Sequence, residues 1–205
     1  MLERFYPNEY LDSFYDIDFE MYYKQGIRGI ISDIDNTLVP HGAPATEEIV
    51  ALFDKIHKLG IDTCLISNNQ EPRVEPFAYA VKSKYIFDAH KPSTKNYRKA
   101  MELMGTTPKN TLFLGDQIFT DIWGANRAGV QTVMLKKIDK KEEIQIVLKR
   151  IPEKFVLWRH RSRISKIRKR IQSKKLQKSW RSFILTRMRL RQQNRSTTAH
   201  RCSTS

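Results

Sequence analysis

Residues 27–37 read IRGIISDIDNT, and this stretch decides the fold. After Arg28 the run is small or β-branched until it meets Asp33, then a second carboxylate at Asp35, then Asn36 and Thr37. A short apolar run that ends in carboxylates suits a strand buried on both faces, with chemistry at its carboxyl end. Moving outward, VPHGAPA at 39–45 carries two prolines and a glycine and reads as a loop or tight hairpin. Thr46 stands as an N-cap ahead of Glu47 and Glu48. Ile49, Leu52, Phe53, Ile56 and Leu59 then recur at helical spacing up to Gly60, where a left-handed C′ residue belongs.

The alternation continues along the chain. Residues 61–67 (IDTCLIS) predict a strand, 73–83 a helix, 85–88 a short strand, and 93–104 a helix that stops at Gly105. Residues 111–116 (TLFLGD) predict a strand, 121–128 a helix stopping at Gly129, 131–135 (QTVML) a strand, and 140–150 a last helix. Strands alternating with helices over short connections predict a single Rossmann-like α/β domain with a parallel sheet flanked by helices. In such sheets ligands bind beyond the carboxyl ends of the strands.

Length and charge set the domain organisation. A chain of 205 residues accommodates one α/β domain and an appendage. The net charge of +15 is uneven: residues 154–205 hold 17 Lys and Arg and no acid, leaving 20 basic and 22 acidic residues in the first 153. The expected division is an aromatic, acidic lead-in at 1–26, irregular or short-helical, a domain at 27–150, and a basic tail at 151–205. In the tail Ile164, Ile167 and Ile171, then Leu176, Trp180, Phe183 and Ile184, fall at helical spacing among Lys and Arg. That pattern predicts a basic amphipathic helix, followed by a polar, disordered end at 194–205. Its partner would be an anionic membrane surface, where each basic residue contributes on the order of 1 kcal/mol, or a nucleic-acid backbone. The opening MLERFYPNEY lacks the apolar run of a signal peptide, and no stretch of the sequence is apolar enough to span a bilayer. Cys64 and Cys202 do not make a disulfide framework. The expectation is a cytoplasmic protein, soluble or peripheral on the inner face of the membrane.

Polar clusters stand at four predicted strand ends: Asp33–Thr37, Ser67-Asn68-Asn69, His90-Lys91-Pro92, and Gly115-Asp116-Gln117 with Thr120-Asp121 beyond. A parallel sheet would bring all four to one rim. Carboxylates, one lysine and several hydroxyl and amide donors then form a set suited to phosphoryl transfer. A carboxylate nucleophile needs a cation to offset the charge of an incoming phosphate, and oxygen-only ligands suit hard Mg²⁺. Lys91 can keep the nucleophile ionised, Ser67 and Asn68 can donate to phosphate oxygens, and a second carboxylate can serve as general acid and base. Asp121 reads either as part of this cluster or as a helix cap. An oxygen-rich site does not need imidazole, so His41 and His90 read as bystanders, Cys64 as a core residue and Trp123 as packing.

The order and spacing of these clusters resemble the haloacid dehalogenase superfamily of phosphatases. Asp33-Ile34-Asp35-Asn36-Thr37 matches that family's DxDxT, Ser67 its strand-terminal hydroxyl, Lys91 its lysine, and Asp116 with Asp121 its acidic pair. The resemblance implies Asp33 as nucleophile and metal ligand, and Asp35 as general acid/base whose main-chain carbonyl meets Mg²⁺. It further implies Asp116 as metal ligand with Asp121 supporting it, Ser67, Asn68 and Lys91 on the phosphate, and Thr37 in the phosphate-binding loop after the nucleophile. Only 31 residues separate Asp35 from Ser67, too few for an inserted cap domain. The strings DIDNTL, SNN, KP and GDQ with TD beyond are similar to the capless subfamily IIIA, in particular the phosphatidylglycerophosphate phosphatase group. That likeness implies hydrolysis of phosphatidylglycerophosphate at a phospholipid headgroup. The alternatives are a polynucleotide 3′-phosphatase, another nucleotide or protein phosphatase, and, without catalysis, an RNA- or ribosome-binding protein that uses the tail.

Overall fold

A computed structural model describes residues 2–138 and scattered helical positions between 156 and 165. Six strands, β1 (Glu9–Leu11), β2 (Gly29–Ser32), β3 (Asp62–Ile66), β4 (Lys84–Ile86), β5 (Thr111–Gly115) and β6 (Gln131–Leu135), pair in parallel in the order β1-β6-β5-β2-β3-β4. The helices between them are α1 (Phe19–Lys24), α2 (Glu47–Lys58), α3 (Glu71–Ala80), α4 (Thr94–Met104) and α5 (Trp123–Ala128). The expected α/β architecture is therefore the observed one.

The sheet is buried on both faces because successive strand residues point to opposite sides. Ile30, Leu65, Leu112 and Leu114 meet Ile49, Phe53 and Ile56 of α2 and Val74 and Phe77 of α3. Ile31, Cys64, Ile66 and Phe113 face the other way, onto Tyr97, Ala100 and Met101 of α4 and Ala125 of α5. Local signals end the helices where the sequence places them. The Thr46 side chain accepts from the Ile49 amide, and Gly105 closes α4 in the left-handed region at φ 65°.

The lead-in departs from expectation. Its residues Glu9–Leu11 form an edge strand against β6, with the Asn8 side chain accepting from the Thr132 amide at 2.8 Å. Phe14, Phe19 and Tyr22 are buried in the α2-side core, and the Tyr22 hydroxyl bonds to Glu9. The sheet domain thus begins before Ile27. A three-residue strand that pairs with a segment more than a hundred positions away leaves no local periodicity to read.

Strand register is what positions the site. Ser32 pairs with Leu65 on one side and Leu114 on the other, so Asp33 emerges level with Ile66 and Gly115. Leu65 in turn pairs with Tyr85, which places the segment after β4 at the same rim. Among the described residues no second domain interrupts these segments: α2 and β3 together fill more than half of the stretch from Asp35 to Ser67, and α3 and β4 more than half of that from Ser67 to Lys91. No described helix is long and apolar enough to cross a membrane. The helix expected at 140–150 and the amphipathic pattern of the tail lie outside the described residues.

Helix packing on the α4 side leaves no slack at Gly124, where an added Cβ would meet the Tyr97 hydroxyl at 2.5 Å and its ring at 2.7 Å. Overpacking a filled core costs about 1–3 kcal/mol. Gly124→Ala should lower the free energy of unfolding in urea by about that amount, and an unchanged value would contradict the close packing of α5 on α4.

Candidate active site

The loop after β2 folds back on itself immediately beyond the strand. Asn36 takes a left-handed conformation at φ 63°, and the Thr37 and Leu38 amides both bond to the Ile34 carbonyl. This turn drives Thr37 inward, where its hydroxyl donates to Asp116 Oδ1 at 3.5 Å. Thr37, expected on the phosphate, is instead tied to a carboxylate of the acidic cluster.

The loop after β4 is fastened to the one after β3. The Ala89 amide bonds to the Ser67 carbonyl and the Asp88 amide to the Asn69 carbonyl, at 2.9 and 3.0 Å. Asn68 Oδ1 accepts from the Lys91 amide at 2.7 Å, and its Nδ2 donates to the Lys91 carbonyl at 3.4 Å. The Asn68 side chain, expected to bind phosphate, is occupied in holding the lysine's backbone. Ser67 Oγ accepts from the Asn69 amide at 3.1 Å and retains its hydroxyl proton for donation.

These two loops aim Lys91 into the rim. Its Nζ lies 2.6 Å from Asp33 Oδ1 and 2.7 Å from Asp121 Oδ1, with only 4% of the side chain exposed. Burial works against the ammonium charge, but Asp121 and Asp33 beside it more than offset this and raise the Lys91 pKa above its ordinary range. Burial raises Asp33, Lys91 pulls it back and Asp121 pushes it up again, leaving a pKa of about 6.

Asp121 owes its place to backbone geometry. Residues Ile118–Ile122 form a π-helical turn, so the helix expected at 121–128 begins as an α-helix only at Trp123. Asp121 Oδ2 accepts from the Gln117 amide at 3.0 Å, while α5 has no side-chain cap at its start. The same carboxylate thus holds both Lys91 and the amide that opens the turn. Gly115 makes room for it, since a Cβ there would meet the Asp121 carboxylate at 2.8 Å. Tyr97, which the sequence reading passed over, donates to the carbonyls of Thr120 at 2.8 Å and Asp121 at 3.2 Å. No local pattern singles it out from the core face of α4.

Asp33, Asp116 and Asp121 are buried with one oxygen from each lying within 4.8 Å of the others. Three carboxylates against one lysine leave negative charge for a further cation, and an all-oxygen donor set fits a hard divalent ion. The Asp35 carboxylate stands apart from this cluster. Its Oδ1 accepts from the Gly42 amide at 2.7 Å and Arg73 Nη2 at 2.9 Å, and its Oδ2 from Asn69 Nδ2 at 2.7 Å. His41 Nδ1 lies 3.8 Å away, beyond hydrogen-bond distance. Arg73 and Asn69 were not legible as partners, because only the fold brings α3 against the loop after β2. Cys64 is fully buried, and Trp123 packs between Phe5 and Arg127, as expected of both.

The haloacid dehalogenase-like hydrolase family matches residues 41–129. Probable phosphatase YqeG of Bacillus subtilis is 34% identical over 137 residues, which cover 66% of this chain and 80% of that protein. The chain belongs to the haloacid dehalogenase-like hydrolases. Phosphatidylglycerophosphate phosphatase 1 of Arabidopsis thaliana is 25% identical over 147 residues, covering 64% of this chain and 40% of that protein. Glyceraldehyde 3-phosphate phosphatase of Pyrococcus furiosus is 29% identical over 70 residues, 31% of this chain and 29% of that one. The family and these names bear out the expected class of phosphatase, while the substrates they carry differ from one relative to the next.

Two measurements probe the site's electrostatics. Removing one partner of a buried ion pair costs about 3–5 kcal/mol. Lys91→Met should therefore unfold at markedly lower urea in EDTA and recover in part when a divalent cation is added; equal midpoints would show that the carboxylates do not depend on the lysine. Burial pushes the Cys64 thiol up to about 12. In a Cys202→Ser background, iodoacetamide at pH 8 should leave the native chain unlabelled and react only after denaturation.

Proposed function

We propose that this hydrolase removes phosphate from a phosphomonoester through an aspartyl-phosphate on Asp33, with Mg²⁺ as its metal and phosphatidylglycerophosphate as its substrate. The observation that carries the reading is the Asp33–Lys91–Asp121 network at the carboxyl edge of the sheet. Lys91 holds Asp33 Oδ1 and Asp33 Oδ2 attacks phosphorus, while the bond to the leaving oxygen breaks. Asp35 gives that oxygen its proton. Asp35 then takes a proton from water, whose oxygen attacks the aspartyl-phosphate and releases inorganic phosphate and free Asp33. Oδ2 of Asp35 has one donor, from Asn69, and so has capacity for the proton. The Ser67 hydroxyl and Lys91 ammonium meet the equatorial oxygens.

Asp33, Asp116 and Asp121, with the Asp35 carbonyl, would hold the Mg²⁺, which supplies charge neutralisation for phosphate and nucleophile. The lipid substrate is supported by the uninterrupted, open rim, the Arabidopsis relative and the basic tail. In this reading the tail lies against the anionic inner face of the membrane, with the headgroup presented to the rim from the cytoplasmic side. The charge of residues 154–205 favours one second reading, a polynucleotide 3′-phosphatase whose tail grips the backbone.

Phosphate release from phosphatidylglycerophosphate in liposomes tests the substrate. The chain should release phosphate in Mg²⁺ and none in EDTA, and Asp33→Asn should lose at least about 10³-fold in kcat/KM, the scale of losing an essential group. Release from a 3′-phosphorylated oligonucleotide instead, falling steeply with salt, would favour the second reading. Full turnover by Asp33→Asn would remove the nucleophile assignment under both.

A further inference from the structure

We propose that Arg73 reads the leaving group, and that the cleft beside it takes an alcohol carrying an anion of its own, a phosphodiester or a carboxylate near the ester oxygen. This rests on the phosphatase reading and adds a substrate class to it. Asp35 marks the side from which the alcohol departs, and Arg73 Nη2 is fixed there by bonds of 2.9 Å to Asp35 Oδ1 and 2.9 Å to the Ala43 carbonyl. The guanidinium also stands 5.5 Å from the centre of the Phe77 ring. Its bonds run from Nη2 alone, since the buried Nε has no partner, and 22% of the side chain remains open to a ligand.

The single Asp35 carboxylate already serves the Gly42 amide, the Asn69 amide and Arg73, with His41 at 3.8 Å. Nη2 is spent on Asp35 and Ala43 and Nε is buried, which leaves Nη1 to a ligand, and a charge-assisted bond from it suits a phosphate or carboxylate oxygen. An open cleft of about 330 Å³ adjoins it, walled by Gly42, Pro44, Pro76 and Phe77, and among the described residues Arg73 is the one charged side chain in its lining. Apolar walls beside the Arg73 guanidinium suit an alcohol whose anion is flanked by carbon. A neutral alcohol would make no charge-assisted bond to it.

The test compares kcat/KM for glycerol 3-phosphate, whose leaving alcohol is neutral, with 3-phosphoglycerate, which carries a carboxylate. The third substrate is the deacylated headgroup glycerophosphoglycerol phosphate, which carries a phosphodiester. At least one charged substrate should exceed glycerol 3-phosphate by about tenfold or more, the scale of a charge-assisted hydrogen bond; which one does so identifies the anion. Arg73→Gln should bring the ratio close to one, and Arg73→Lys should keep part of it. The ratio within each variant is the readout, because damage to Asp35 alone lowers all substrates together. Pro44→Asp, at an exposed loop position, sets a like charge in the cleft wall and should lower the same ratio. No preference in the unmodified chain, or a ratio left unchanged by Arg73→Gln and Pro44→Asp, would overturn the proposal while the phosphatase reading stands. No release from any monoester, phosphatidylglycerophosphate vesicles included, would remove both.

Discussion

Lys91 Nζ bonds to Asp33 at 2.6 Å and to Asp121 at 2.7 Å, one buried ammonium shared between carboxylates from two different strand ends. Without it, Asp33 and Asp121 would face each other across a low-dielectric rim with no ammonium between them. Such a pair offsets its desolvation only when geometry is good and the remaining polar atoms are satisfied. Much of the surrounding backbone serves that geometry. The bonds from Asn68 fix the lysine's main chain, the π-helical turn swings Asp121 inward, and Gly115 leaves the space that Asp121 fills. The Thr37 hydroxyl reaches the third carboxylate, Asp116.

The rim divides into two halves with different electrostatics. Around Asp33 there is an excess of negative charge, which suits a divalent cation and an incoming phosphate. Around Asp35 the donors outnumber the acceptors: the Gly42 and Asn69 amides and the Arg73 guanidinium converge on one carboxylate. In the proposed mechanism the phosphoryl group lies on the first side and its leaving alcohol on the second. The chain sets the two aspartates only two positions apart and lets the tight turn at Asn36 send their environments in opposite directions.

The strands and most helices were legible because their signals are local. Thr46 and Gly60 bound a helix whose apolar stripe is plain, and the run ending at Asp33 could only be a buried strand. The four polar clusters were legible as a site because a parallel sheet leaves them no other place to converge. What the sequence hid depends on contacts made at a distance. β1 exists only through its pairing with β6, Arg73 reaches Asp35 only because α3 packs beside the loop after β2, and Tyr97 is distinguished from other core aromatics only by where its hydroxyl lands. Loop geometry also decides what the Thr37 and Asn68 side chains bond to, Asp116 and the Lys91 main chain, and residue type does not show this. The extra residue of the π-helical turn has no sequence signature either, and it alters what Asp121 does.

The most direct measurement of the central claim is peptide mapping by mass spectrometry after the enzyme, turning over a phosphomonoester in Mg²⁺, is quenched in acid. The account predicts a phosphoryl adduct confined to the peptide containing Asp33, formed while substrate is present and gone once it is exhausted. An adduct on another residue, or hydrolysis that proceeds with none detectable under conditions that trap acyl phosphates, would contradict it.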